Sequence, residues 1–290
     1  MKIKHLNLLY LTLLAGYLPC QLLFTLFSFA AFGRLVIPPT LANTAVMLGV
    51  VWFALHQSGY PIRRTFSFGK VSASVWIRTL LCAVALLLSK LLFQAMLPVA
   101  QVDGGDVVSQ TLSGSSMLFS VLLLAVVPAL GEEYVFRGVF YRLFREKTGI
   151  GIAALTSALY FAMMHFQLEH LFSSLLLGLC SALLLEEAGS LLPSLLLHFL
   201  VNSFPVLLTM AAQREDSMLT GFFAVLLALP AIGKGVLALL LAVVSLGLAG
   251  LPTLLRQKSA LWQTGTERVT GVVTVAILAV WVFFTFVFLR

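Results

Sequence analysis

Residues 117–138 read MLFSVLLLAVVPALGEEYVFRG, a run free of charge from Met117 to Leu130 in which Glu132, Glu133 and Arg137 then fall within six residues. An apolar stretch of this length is the signature of a helix that crosses a bilayer. At the centre of such a helix each formal charge costs roughly 2.5–3.5 kcal/mol. Glu133 and Arg137 stand four residues apart and share one helix face, where they can pair. Glu132 lies about 100° further round and has no local partner. The pattern fits a braced carboxylate offered to a cavity. It fits equally an interfacial segment whose charges reach the headgroups, because Arg142 and Arg145 follow.

Outward from this segment the chain is made of the same material. Of its 290 residues, 60% are hydrophobic and 10% charged, where a soluble domain carries about 25% charged residues. Apolar runs recur at 6–33, 43–57, 76–99, 116–141, 151–167, 171–187, 191–211, 219–250 and 270–289. They predict an all-α, polytopic membrane bundle of about eight or nine helices. Run 219–250 holds Pro230 and Gly233-Lys234-Gly235, so it reads either as one kinked helix or as a broken pair. With the N-terminus cytoplasmic, the inner connections hold Lys2, Lys4, Arg63, Arg64, Lys70, Arg142, Arg145, Lys147, Arg256, Lys258 and Arg268. The outer ones hold Arg34, Arg214 and Arg290, with Asp103 and Asp106. That bias sets the expected orientation, and the short loops suggest a bacterial inner membrane. The first run is expected to be a retained helix rather than a signal peptide.

This organisation excludes several classes. The net charge of +7 lies in short connections rather than in a nucleic-acid-binding patch, so no nucleic acid is expected. Cys20, Cys82 and Cys180 all sit in apolar runs without a CxxC, which supports neither a disulfide framework nor a zinc finger. No ten-residue alternation suggests an outer-membrane barrel. Three parts are expected: N-terminal helices over 1–115, a motif-bearing core over 116–212, and C-terminal helices over 213–290.

Two further polar elements interrupt the core. Phe161-Ala162-Met163-Met164-His165 closes the fifth run, and His198-Phe199-Leu200-Val201-Asn202 lies in the seventh, with His198 and Asn202 on one helix face. Each alone is as readily structural hydrogen bonding between helices. Lys90, Arg78, His56 and Lys234 read as single charges at span ends or breaks. Glu169-His170 reads as a turn, and Glu186-Glu187 as a solvated helix end. Together, however, an acid, two histidines and an amide are the parts needed to activate water and stabilise an oxyanion. In that scheme Glu132 takes the proton, His165 orients the water, and His198 and Asn202 donate to the oxyanion. Glu133 and Arg137 brace Glu132 from behind. No serine or cysteine stands with a comparable His/Asp partner, which weighs against an acyl-enzyme.

Glu-Glu-x-x-x-Arg, Phe-x-x-x-His and His-x-x-x-Asn, in this order on successive membrane helices, resemble the motifs of the CPBP family, the CAAX proteases and bacteriocin-processing enzymes also called the Abi family. The resemblance covers residues 116–212. It implies an intramembrane endopeptidase in which the positions of Glu132 and His165 activate the hydrolytic water and those of His198 and Asn202 form the oxyanion hole. The substrate implied is a peptide or protein, lipidated or bearing a leader, met within the lipid bilayer. The motifs leave the cofactor open. A carboxylate with two histidines can build an open zinc site, but HExxH is absent and Arg137 would oppose a cation, so a metal-free mechanism is preferred over zinc or another divalent ion. A non-catalytic immunity or scaffold protein is the alternative. A proton-coupled carrier is disfavoured because no internal repeat is visible.

Overall fold

A computed structural model describes residues 2–32, 39–96, 117–166, 168–213, 221, 224–256, 277–279 and 281–282. Among these residues the chain is helical and contains no strand. Helix α1 spans Ile3–Phe32 and α2 spans Pro39–Gln57. A short 3-10 turn, Ile62–Thr65, leads to α3, Ala73–Gln94. Helix α4 is continuous from Met117 to Arg145, but wound as a π-helix over Leu122–Val126 and again over Tyr134–Tyr141. Then come α5, Ile150–Met163, α6, Leu168–Ala188, α7, Leu192–Gln213, and α8, Ala231–Arg256.

Five of these helices are long and apolar enough to cross a membrane, and α2, α5 and α7 supply shorter apolar segments. The all-α membrane bundle read from composition is thus the observed architecture. The proline-containing run resolves in favour of a break: α8 begins at Ala231, directly after Pro230, whose carbonyl accepts from the Lys234 amide. The run at 270–289 and the acidic pair Asp103/Asp106 lie largely or wholly outside the described residues.

Helix α8 packs on α3 and α6, α5 packs on α6, and α7 crosses α3, α4 and α6. The reason for the α3–α8 seam is legible in α8 itself. Ala238, Ala242, Ser245 and Ala249 recur on one face and are all buried, and small residues let helix backbones approach where lipid removes the hydrophobic drive for association. The Ser89 hydroxyl of α3 donates to the Ala238 carbonyl at 2.8 Å. On the opposite faces, Leu22 and Leu23 of α1, Val84 of α3 and Val243 of α8 stay exposed. Such a surface is costly in water and is the expected one against acyl chains.

Helix α1 is fastened to α5 by a buried polar contact. The Tyr160 hydroxyl donates to Asn7 Oδ1 at 2.8 Å, the Tyr10 hydroxyl donates to the Tyr160 carbonyl at 2.7 Å, and the two rings stack 3.8 Å apart. These bonds hold α1 against the motif-bearing α5.

Candidate active site

The core motifs meet on three helices. Glu132, Glu133 and Arg137 come from α4, His165 from the turn that ends α5, and His198 and Asn202 from α7. The tightest contact is between Glu133 and His198, with Nδ1 2.7 Å from Oε1. The predicted helix-face pair is also present, Arg137 Nη1 lying 3.1 Å from the same Glu133 oxygen. Glu133 therefore does more than brace its neighbour: it carries both an arginine and a histidine. Glu132 approaches the other edge of the same ring, its Oε2 3.5 Å from His198 Nε2. Successive helix residues diverge by about 100°, yet both carboxylates reach one imidazole because its nitrogens sit on opposite edges.

Hydrogen-bond sense constrains the protons. A carboxylate only accepts, so His198 Nδ1 donates to Glu133. Attraction between His198 Nε2 and Glu132 Oε2 then requires one shared proton, held either by an imidazolium or by the Glu132 carboxyl. The His165 ring is fixed differently. Its Nδ1 lies 3.1 Å from the Phe161 carbonyl, which can only accept, and neutral His165 therefore presents Nε2 as an open lone pair. Neither a hydrogen bond nor an ion pair joins His165 to Glu132.

Burial divides the cluster. The side chains of Glu133 and Arg137 are 0% exposed and that of His198 is 2% exposed, whereas Glu132 keeps 25% of its surface open. His165 and Asn202 are half-buried. The expected oxyanion donor His198 is thus sealed, with both nitrogens engaged by carboxylates, while Glu132, His165 and Asn202 keep access to an opening.

Phe161, a motif residue to which the sequence assigns no role, is the hub. The Arg137 guanidinium carbon lies 4.5 Å above its ring centre, and the His165 and His198 rings meet it edge-on at 5.0 and 5.4 Å. Cation–π attraction strengthens when the cation is stripped of water. It matters here because the guanidinium nitrogens find no hydrogen-bond partner of good geometry among the described residues. Gly178 of α6 makes room for this arrangement: a Cβ there would come within 2.7 Å of Ala158 and 3.3 Å of an Arg137 Nη atom.

Among the described residues no three His, Cys, Asp or Glu side chains converge as a ligand set. The two carboxylates flanking His198 occupy the ring positions a zinc ion would need. This donor arrangement does not fit a three-ligand metal site.

Other residues depart from their sequence reading. Glu187 is not a solvated helix end: its side chain is 6% exposed and lies 3.0 Å from Arg78. His170 pairs with Gln94 at 3.2 Å. Lys90 is within electrostatic range of both His165 and His170. An apolar cavity of about 680 Å³ flanks the site between α2, α4 and α7, lined among others by Trp52, Phe66, Leu130, Gly131, Tyr134 and Leu195.

Residues 114–204, which hold all of these motif positions, match the family model described as type II CAAX prenyl endopeptidase Rce1-like. The chain is also similar to a Bacillus subtilis (strain 168) protein named "Putative membrane peptidase YdiL", 26% identical over 95 residues, which cover 33% of this chain and 39% of that relative. The matched stretch thus spans about two fifths of the length of the curated relative. No solved structure matches. The family model is of CAAX proteases, which the three motifs resemble, and the relative's name is that of a membrane peptidase.

Proposed function

We propose that this integral membrane protein, whose core is that of the CAAX-protease family, is an intramembrane endopeptidase that hydrolyses a peptide bond with a water activated at Glu132. The observation that carries the reading is the graded cluster of Glu132, His198, Glu133 and Arg137. Three of its members are sealed and one carboxylate is left partly open at the end of the chain of contacts. A sealed brace behind an accessible acid is what general-base chemistry requires, since the base must reach water while its orientation stays fixed.

In this mechanism Glu132 accepts a proton from water as the oxygen attacks the scissile carbonyl. His165, with its Nε2 lone pair free, orients the same water. Asn202 donates its amide N–H to the developing oxyanion. His198, its Nε2 engaged by Glu132, holds that carboxylate in place, and Glu132 passes the proton taken from water to the departing amine as the C–N bond breaks. Glu133 holds His198 by Nδ1, and Arg137 and Phe161 hold Glu133 and the rings in place. The apolar cavity beside Gly131 supports a substrate presented from the lipid side. The orientation with a cytoplasmic N-terminus, in a bacterial inner membrane, belongs to the same proposal.

The test is a comparison of new peptide termini in membranes holding matched amounts of wild-type protein or Glu132→Gln. Termini that vanish with the substitution are expected. Identical profiles from two folded proteins would refute the peptidase reading. The burial of His198, Glu133 and Arg137 also favours a second reading, a membrane partner protein in which these groups only knit helices; it expects Glu132→Gln to keep function.

A further inference from the structure

The apolar cavity between α2, α4 and α7 has one end that the proposed mechanism does not use. At its inner end Thr44 packs on Gly131, the residue before Glu132. Its other end is closed by the connection from α2 to α3, through Ile62, Phe66 and Phe68. That connection carries Arg63, Arg64 and Lys70, with no acidic residue between Ser58 and Ser72. All three cations are exposed, and none forms an ion pair among the described residues. Arg63 and Arg64 share the 3-10 turn of Ile62. At about 2 Å of rise per residue, both stand within one turn of the cavity wall.

Contacts with two helices fix the cations in this place. The Phe66 ring stacks on that of Tyr134 at 4.6 Å, and the Thr65 and Tyr134 hydroxyls lie 3.3 Å apart. The Leu191 amide donates to the Ser67 carbonyl at 2.8 Å, and the Ser67 hydroxyl donates to the Gly189 carbonyl. Gly138 permits the approach to α4, since a Cβ there would lie 2.8 Å from the Thr65 carbonyl oxygen. One exposed acid meets the connection: Glu146 accepts from the Tyr60 hydroxyl at 2.6 Å. Against it stand three cations. Trp52, Phe66 and Phe68 line the same end of the cavity and are themselves exposed. Tryptophan and basic side chains together mark the depth of the lipid headgroups.

We propose that this cavity binds an anionic phospholipid, an acyl chain lying between α2, α4 and α7 and the phosphate held by Arg63 and Arg64. The volume of about 680 Å³ is that of a small-molecule site rather than a packing defect. An apolar cavity with a cationic mouth complements a molecule that is apolar along its length and anionic at one end. A neutral lipid would fill the cavity and leave the cations unmatched. The bound chain reaches the wall at Gly131, so a substrate entering from the bilayer has to displace it. The binding itself does not depend on the peptidase reading.

The test places the full chain in nanodiscs of phosphatidylcholine with a minor share of phosphatidylglycerol, and reads retained lipid by native mass spectrometry. Phosphatidylglycerol is expected to stay bound, enriched roughly tenfold over its share of the disc, and Arg63→Ala/Arg64→Ala to abolish that enrichment. Gly49→Phe tests the chain separately. Gly49 lines the cavity and a Cβ there meets nothing within 4 Å, so the phenyl group fills the space while the cations stay. Retention of phosphatidylglycerol is expected to fall at least about tenfold. Should either variant fail to fold, the wild type decides through quenching of Trp52, identified by its loss in Trp52→Phe. Brominated phosphatidylglycerol is then expected to quench more strongly than brominated phosphatidylcholine at equal share. Equal retention or equal quenching by the two lipids overturns the proposal, as does enrichment that survives both variants. A lipid-modified peptide in place of the phospholipid, in protein taken directly from membranes, also overturns it and gives the cavity to substrate.

Discussion

The chain contains two adjacent glutamate pairs at comparable places in the sequence pattern, and the bundle treats them in opposite ways. Glu186 and Glu187, at the end of α6, are fully matched. Glu186 accepts from the Tyr141 hydroxyl at 2.6 Å and pairs with Arg145 at 3.2 Å. Glu187 meets Arg78 at 3.0 Å and Arg256 at 3.7 Å and accepts from the Thr253 hydroxyl. Two carboxylates thus face three guanidinium groups on α3, α4 and α8. Glu132 and Glu133, by contrast, share one arginine and one histidine. The first pair is a clasp that ties four helices together. The second has one guanidinium for two carboxylates and relies on a proton shared with His198, and its least buried member is the one left open. A carboxylate within a span that has no cation of its own costs stability and persists where it is used.

Breaking the closed half of the second pair should have the largest structural effect. Arg137→Met leaves Glu133 buried without its cation, and the expected loss is about 3–5 kcal/mol of stability, read from chemical unfolding in detergent. Widening Gly178 to leucine should also destabilise by more than about 2 kcal/mol, because the added side chain meets Ala158 and the Arg137 guanidinium. A Gly178→Leu protein that unfolds like the wild type would break the account of how that arginine is housed.

Smaller effects sharpen the contrast from the clasp side. Glu187→Ala should cost about 1–3 kcal/mol through its lost charged hydrogen bonds, while cleavage stays within about twofold of wild type once folded protein is matched. Loss of cleavage without loss of fold would show that the clasp is not merely structural. Arg256 is 72% exposed on its side chain, so Arg256→Ala should change stability by less than about 0.5 kcal/mol. Chelation by EDTA or phenanthroline is expected to leave cleavage unchanged; loss restored by added zinc would require a ligand set not formed by the described residues.

Much of this contrast was readable in the sequence, but only its local part. The spanning helices follow from run length, and the Glu133–Arg137 pair and the shared face of His198 and Asn202 follow from helical spacing. The pairing of Glu133 with His198 joins residues 65 apart, and that of Glu187 with Arg78 joins residues 109 apart. Both depend on how helices pack, which one sequence does not state. Hence Glu187 reads as solvated, Glu133 as a brace for its neighbour alone, and His198 as a free donor. Phe161 was visible as a motif letter, yet its contact with Arg137 and two imidazoles needs three helices in place.

The most direct test pairs Glu132→Gln with Glu133→Gln and measures, for each, the unfolding midpoint and the rate of appearance of new termini. Glu132→Gln is expected to fold at least as stably as the wild type, because it changes the partly exposed carboxylate and leaves the buried Glu133 contacts to His198 and Arg137 in place, and to lose cleavage by at least about a hundredfold. Glu133→Gln should unfold more readily, because Arg137 is left without its carboxylate. A Glu132→Gln protein that still cleaves at the wild-type rate, or that is destabilised as much as Glu133→Gln, would contradict the division of this cluster into a working carboxylate and a sealed brace.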